Sequence, residues 1–359
     1  MTSKKKGAGI SGNGAKQNYR QSPDYVRTST AAAMTLKFYP GKFHRGARLD
    51  ALNLLLSYES GCYARCGYCG LSASRKPEED SFIRVDWPEI SVDEVIERTK
   101  KHGKHLQRVC VSMITHPKAL GDCIKVAKRF RDETNLEISA LIGPTMIQGR
   151  QPLEMLKKAG VDHIGVAIDA ATPELFEKFR GKGVRGPHKW EHYWEVLIDA
   201  VDIFGKDYVG VHLIVGLGET EKQMIELFQQ VRDAGACTHL FSFYPEGGSV
   251  MEKWPRPPMG HYRRVQLARY LIDGDMGRFE KMKFNRKGQL TDFGVSKAVY
   301  EKVVSAGEAF MTSGCPGKDG KVACNRPYGN ERPSEKLRNY PFLPDSDDIK
   351  DARAQLKEY

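Results

Sequence analysis

The stretch VGVHLIVGLGETEKQMIELFQQVRDAGACTHLFSFYPE, residues 209–246, contains one complete strand-helix-strand unit. Its first apolar run reads as a strand and ends at the glycines of GLGE, residues 216–219. Thr220 and Gln223 then form a capping box, and Met224, Leu227, Phe228 and Val231 fall on one face at helical spacing. Gly235 stops the helix, and residues 238–246 read as the next strand. A unit of this kind joins two parallel strands by a right-handed crossover.

The same rhythm runs upstream. LNLLLSYES (52–60) opens as an apolar strand, and Ser91 with Glu94 caps a helix ending near Gly103. RVCVSMI (108–114), LEISALIG (136–143) and HIGVAID (163–169) read as strands, with PLEMLKKAG (152–160) a helix between the last two and Thr172-Pro173 the start of another. The fold class expected is therefore α/β, a full or partial TIM-like (β/α) barrel. Residues 282–285 and 308–314 are candidates for a seventh and eighth strand, with helices at 261–273 and 295–306. Residues 1–45 read as a basic extension, 46–313 as the barrel, and 314–359 as an irregular segment rich in Gly, Pro and charge.

The chain has 359 residues with 40% hydrophobic composition, enough for a full core. Its 56 basic and 45 acidic residues leave +11, a surface that attracts acidic partners. Part of the excess, Lys4, Lys5, Lys6, Lys16 and Arg20, stands among Gly, Ser and Asn and reads as a solvated tail. No apolar run is long enough to span a bilayer, so no membrane is expected and the reading is cytoplasmic. No nucleic-acid-binding motif accompanies the basic charge.

Eight cysteines in such a chain point to metal or redox chemistry more than to disulfides. Cys62, Cys66 and Cys69 follow C-x3-C-x2-C directly after the first strand, in a loop at the top of the expected barrel. Thiolates so spaced can hold three corners of a 4Fe-4S cube, leaving one iron open to chelate S-adenosylmethionine. An electron delivered to that sulfonium releases a radical able to take hydrogen from an unactivated carbon. A zinc knuckle fits less well, since no neighbouring His or Cys supplies a fourth ligand. Cys123 and Cys237 read as buried structural thiols.

The loop, including Tyr68 before its last cysteine, resembles the radical S-adenosylmethionine (SAM) superfamily. The resemblance implies that Gly216, Gly218 and Glu219 pass near the adenine and that Asp169 accepts from the ribose hydroxyls, a helix cap being the equal alternative for Asp169. It also implies a basic residue for the methionine carboxylate, Arg180 or Arg185, of which Arg185 is taken as the candidate. The "GLGE" strand and the ending AGEAFMTSGC (306–315) are similar to the biotin and lipoyl synthase branch. In biotin synthase the sulfur comes from a second cluster on three strand cysteines and an arginine. Cys110 matches the first of these positions, but LEISALIG and VGVHLIVG lack the other two. Cys315 and Cys324 are the substitutes, with Cys315 expected at the top of the barrel and Ser334 as the candidate fourth ligand.

Residues 31–75, SFIRVDWPEIS (81–91) and CNRPYGNERPSE (324–335) resemble the two-component lipoyl synthases, more the second-named component than the first. That resemblance implies a sulfurtransferase acting on an octanoyl chain amide-linked to a lysine of a carrier protein. It further implies a companion lipoyl synthase component, a ferredoxin- or flavodoxin-type electron donor, and an auxiliary iron-sulfur cluster beside the one that binds SAM. The aromatics Phe241, Phe243 and Tyr244 could line a channel for the octanoyl arm, or could be plain core. Two rivals remain open: a biotin synthase-like or RNA-methylthiolating radical enzyme, and a non-catalytic iron-sulfur or zinc protein.

Overall fold

The computed structural model describes residues 20–75, 81–331 and 335–359. Its central sheet has eight strands in the order β10-β9-β8-β7-β6-β2-β1-β5. Six of them run parallel in one arc: β2 (Ala51–Leu56), β6 (Arg108–Ser112), β7 (Glu137–Ile142), β8 (His163–Asp169), β9 (Val209–Val215) and β10 (Cys237–Ser242). Their runs of buried residues are what a sheet covered on both faces requires. Helices α3 (Ala119–Glu133), α4 (Gln151–Lys158), α5 (Pro173–Phe179), α6 (Trp190–Phe204) and α7 (Glu221–Asp233) fill the crossovers. The expected capping box is present on α7, where Met224, Leu227, Phe228 and Val231 are all buried. The architecture is thus a partial (β/α) barrel of six parallel strands, open at the outer edge of β10.

Part of the segment expected as an extension belongs to the sheet. Strand β1 (Tyr25–Thr28) lies antiparallel between β2 and β5 (Glu89–Ser91), and α1 (Thr30–Thr35) follows it. Val26 and Thr28 are fully buried, and Thr28 Oγ1 donates to the Asn53 carbonyl at 2.7 Å. A four-residue strand with one apolar inward residue gives little periodicity to read. Beyond β5, α2 (Val92–His102) is capped by Ser91 and ends at Gly103 as its sequence predicts. A small antiparallel pair, β3 (Ser81–Ile83) and β4 (Val85–Asp86), precedes them.

The candidate seventh and eighth strands are not barrel strands. Residues 283–284 form β11, which pairs antiparallel with β12 (Leu290–Asp292) in a separate hairpin. Residues 308–310 make a 3-10 turn, and Met311 bridges only Tyr340. Nor is the C-terminal segment wholly irregular. Its helix α11 (Ser346–Gln355) is opened by a capping box of Asp345 and Asp348, and Ala352 and Leu356 pack with Leu267, Val303 and Phe310 of a second core. That core joins α8 (Met259–Asp273) to α9 (Lys297–Ala306). Arg263, fully buried on α8, donates to Gln355 Oε1 at 2.8 Å and to the Leu337 and Arg338 carbonyls at 2.8 and 2.7 Å. Among the described residues no helix is long and apolar enough to cross a membrane.

If β1 is part of the core, Val26→Ala loses two buried methyl groups and costs about 1.5–3 kcal/mol. Urea unfolding of the two proteins measures this; an unchanged midpoint would return residues 21–45 to the status of an appendage.

Candidate functional site

The three-cysteine loop leaves the C-terminal end of β2 and is held to its neighbours by main-chain hydrogen bonds. Tyr63 N donates to Thr115 O at 2.8 Å, Gly67 N to Phe179 O at 2.8 Å, and Met251 N to Gly67 O at 3.0 Å. These ties join the loop to the ends of β6, α5 and the segment after β10, so it is positioned by most of the arc. Cys66 is buried while Cys62 and Cys69 are half-buried. Burial pushes the Cys66 thiol up to about 11, opposed by Arg180, and raises Cys69 as well, with Cys66 and Cys62 adding to the latter. The thiols are thus close enough to feel one another. Among the described residues, however, no three His, Cys, Asp or Glu side chains converge on a single ion. Three thiols spaced along one loop could each ligate a different iron of a cluster.

Tyr68 and Asp169 meet directly: Tyr68 Oη donates to Asp169 Oδ2 at 2.6 Å. Arg180 Nη1 lies 2.8 Å from the same carboxylate oxygen. Asp169 holds a left-handed backbone at φ 66°, a conformation an L-residue other than Asn, Asp or Gly rarely adopts. The structure brings Arg180, not Arg185, to the loop. Arg180 is buried beside Asp169, Tyr68 and Cys66, whereas Arg185 is exposed on a one-turn 3-10 helix. The four residues between them are a tight turn that carries the second arginine outward, which one-dimensional spacing does not reveal.

In GLGE, Gly216 and Gly218 have φ of 109° and 111°, which side-chain-bearing residues avoid. A Cβ on Gly216 would also stand 2.7 Å from Pro257 Cδ. Glu219 turns back on its own loop, accepting from Gly216 N at 2.6 Å and Leu217 N at 2.9 Å. It is therefore a brace for the turn. Burial raises its carboxyl to about 7, against the pull of the loop amides. His261 Nε2 stands 4.0 Å away and is itself depressed by burial.

Inside the arc a cavity of about 240 Å³ is lined at the loop end by Tyr68, Cys69 and Asp169, and along its walls by Leu55, Met113, Leu141, Ile214 and Phe241. Phe243 and Tyr244 also line it, and Phe243 belongs to the main hydrophobic core as well. Below it, Asn53, Cys110 and Ser139 stand in register on adjacent strands. Here the tail cysteines arrive. Cys324 Sγ lies 3.8 Å from Asn53 Oδ1, Cys315 sits beside Ser139, and both thiols are raised by burial, Cys324 to about 11, with Cys110 adding to each. Ser139 Oγ and Asn53 Nδ2 are buried without a hydrogen-bond partner. Three thiols ringed by orphaned polar groups suit a cluster whose sulfides accept hydrogen bonds.

Cys315 is not at the top of the barrel. Pro316 O accepts from Arg108 Nε at 2.6 Å, and Arg108 is the first residue of β6, so the tail enters from the N-terminal end of the strands. From Cys324 it climbs past Asn53 to Arg326, whose Nη1 donates to Ser112 Oγ at 2.6 Å at the end of the same strand. Ser334 lies outside the described residues. Arg326, Ser112 and His212 also line the cavity and are absent from the sequence-derived site. Burial, with His239 and Arg326 near, keeps the His212 imidazole neutral. A histidine in the middle of an apolar strand was the available signal.

Residues 57–231 match the family profile described as Radical SAM superfamily. A biotin synthase of Anaeromyxobacter dehalogenans (strain 2CP-C) is 26% identical over 197 residues, which are 53% of this chain and 50% of that protein. A GTP 3',8-cyclase of Xanthomonas axonopodis pv. citri (strain 306) is 27% identical over 205 residues, 54% and 56% of the respective chains. The chain spans about half the length of the curated relatives it matches. Among solved structures, HydG, a maturase of the FeFe-hydrogenase, is similar at a TM-score of 0.50 and 16% identity, over 64% of this chain and 50% of that one.

The Glu219 brace has a signature in pH. Its folded value near 7 lies above the ordinary 4.5, so the folded state holds the proton more tightly. The resulting stability is full below about pH 4.5 and is lost as pH rises toward 7. Thermal midpoints of the wild type should therefore fall relative to Glu219→Gln across that window. Parallel curves for the two proteins would contradict the assignment.

Proposed function

We propose that this chain, whose residues 57–231 match the Radical SAM superfamily profile, is a radical SAM enzyme that inserts sulfur in the manner of a lipoyl synthase, acting on an octanoyl-lysyl carrier protein together with a companion synthase. The observation that carries this reading is the second set of thiols, Cys110, Cys315 and Cys324, gathered beneath the cavity whose other end is the three-cysteine loop. Cys62, Cys66 and Cys69 would hold the first cluster, which when bound supplies the electron that turns SAM into a hydrogen-abstracting radical. Cys110, Cys315 and Cys324 would hold a second, the source of sulfur.

The chain's own residues have separable tasks. Tyr68, Asp169 and Arg180 form a buried charged network at the loop, suited to hold the polar parts of SAM. Leu55, Met113, Leu141, Ile214 and Phe241 offer an aliphatic chain an apolar wall that excludes water and competing hydrogen donors. An aliphatic C-H has no polarity for an acid or base to use, so the absence of a general base among these wall residues is no obstacle to the reading. The basic surface favours encounter with an acidic carrier.

A biotin synthase-like reading is favoured by one observation, the similarity of about half the chain to a biotin synthase. A cyclase is similar at 27% identity over 54% of the chain, so similarity at this level does not single out one reaction. Mass spectrometry of an octanoyl-lysyl carrier peptide decides between them. Incubated with this protein alone the peptide should gain one sulfur, and the full lipoyl mass with the companion present. Biotin, or thiolated RNA, in place of either product would replace the proposal. For the second thiol set, Cys315→Ala with Cys324→Ala should remove about four irons per chain while deoxyadenosine formation persists. Undiminished iron would mean that these thiols are not ligands.

A further inference from the structure

Asn330 follows the one-turn helix α10 (Arg326–Gly329) and is 3% exposed. Its side chain lines the cavity, yet neither Oδ1 nor Nδ2 has a hydrogen-bond partner. A buried polar atom left unsatisfied costs about 1–3 kcal/mol, and native interiors rarely leave both ends of one carboxamide so. The adjacent cavity groups do not meet the need. Asn339 is committed, its Oδ1 accepting from Tyr262 Oη at 2.9 Å and Gln266 Nε2 at 3.2 Å, its Nδ2 donating to Glu331 Oε1 at 3.0 Å. Arg326 Nη1 is on Ser112. Asn330 therefore presents a free acceptor and a free donor to whatever fills the cavity.

The chemistry of that pair is selective. A carboxylate offers only acceptors and would leave Oδ1 without a donor; an ammonium offers only donors. A thioester has a carbonyl but no N-H. A secondary amide carries both groups, and in an acyl-lysine it stands at the boundary between the aliphatic chain and its carrier. The apolar wall of Leu55, Met113, Ile114, Leu141, Ile214 and Phe241 fits the chain on the acyl side of such a group.

We propose that Asn330 is the recognition residue for a secondary amide, so that the cavity takes N-acyl amides of the acyl-lysine kind in preference to free fatty acids or acyl thioesters. This rests on the sulfur-insertion reading for its place in a reaction, but the binding preference is separable from it. A polar residue that recognises the unreacting end of a substrate acts on affinity and specificity, so its removal should raise KM more than it lowers kcat.

The test uses the reconstituted holoenzyme and three probes: a peptide bearing N-octanoyl-lysine, octanoic acid, and octanoyl-pantetheine thioester. Calorimetric titration should show the amide bound most tightly. Asn330→Leu, close in volume, should weaken the amide about 10- to 100-fold, the loss expected for two hydrogen bonds, and the acid and thioester by less, since each can use only Nδ2. Iron content and SAM cleavage without substrate should match the wild type, and Asn330→Asp should lose the amide preference likewise. Unchanged amide affinity in both variants overturns the proposal, as does a fall in substrate-free SAM cleavage, which would assign Asn330 to the cofactor. Amide binding that depends on Asn330 but yields no thiolated product leaves the subsite intact and removes the sulfur-insertion reading. Thiolated product that forms equally well without Asn330 does the reverse.

Discussion

Six parallel strands do not close a barrel, and the unpaired edge of β10 is the constraint from which much of the molecule follows. An exposed strand edge in a buried sheet leaves main-chain donors and acceptors without partners. This chain answers with its C-terminal segment. Ser313 Oγ accepts from Leu240 N at 2.9 Å on that edge, and the segment then runs beneath the arc and up its interior side. Arg263 locks the returning strand of the loop to α8 by donating to two of its carbonyls. The closure thus lays polar and thiol-bearing residues against the inner face, where a complete eight-stranded barrel would have placed packed side chains.

That substitution shapes the chemistry available inside. The loop end of the cavity is charged and tightly hydrogen-bonded, with Tyr68, Asp169 and Arg180 sharing one carboxylate. The walls are apolar, and the floor turns polar again at Ser112 and His212, above the level of Cys110. His212 is neutral because burial and its cationic neighbour oppose a second positive charge. Such an interior suits ionic groups at one end and an uncharged chain in the middle, the division of labour that the proposed reaction requires.

Much of the architecture was legible in the residues. The periodicities of 108–114, 136–143, 163–169 and 209–246 each recur as the expected strand or helix, because buried parallel strands and amphipathic helices impose their period on a short window. The Ser91 cap of α2 and the capping box of α7 were equally readable, since a cap is made by residues three apart. What failed did so for want of local signal. Strand β1 owes its place to pairing with β2 and β5, and residues 282–285 and 308–314 are apolar enough for strands but have no partner in the sheet. Helix α11 has a readable cap in Asp345 and Asp348, though only Ile349, Ala352 and Leu356 mark its apolar side.

The site divides along the same line. Cys62, Cys66 and Cys69 lie within one loop, so their spacing and the resemblance to the radical SAM superfamily that it carries were readable in the sequence, and residues 57–231 match that superfamily's profile. The choice of Arg180 over Arg185 and the approach of Cys315 from the lower end were decided only by tertiary structure. So was the meeting of Cys110 with Cys324, and of Asn330 with Tyr68 around one cavity. The physical reason is distance along the chain: a turn or loop pattern is set by neighbours a few residues apart, whereas these contacts join residues hundreds apart that only the closing of an incomplete barrel brings together.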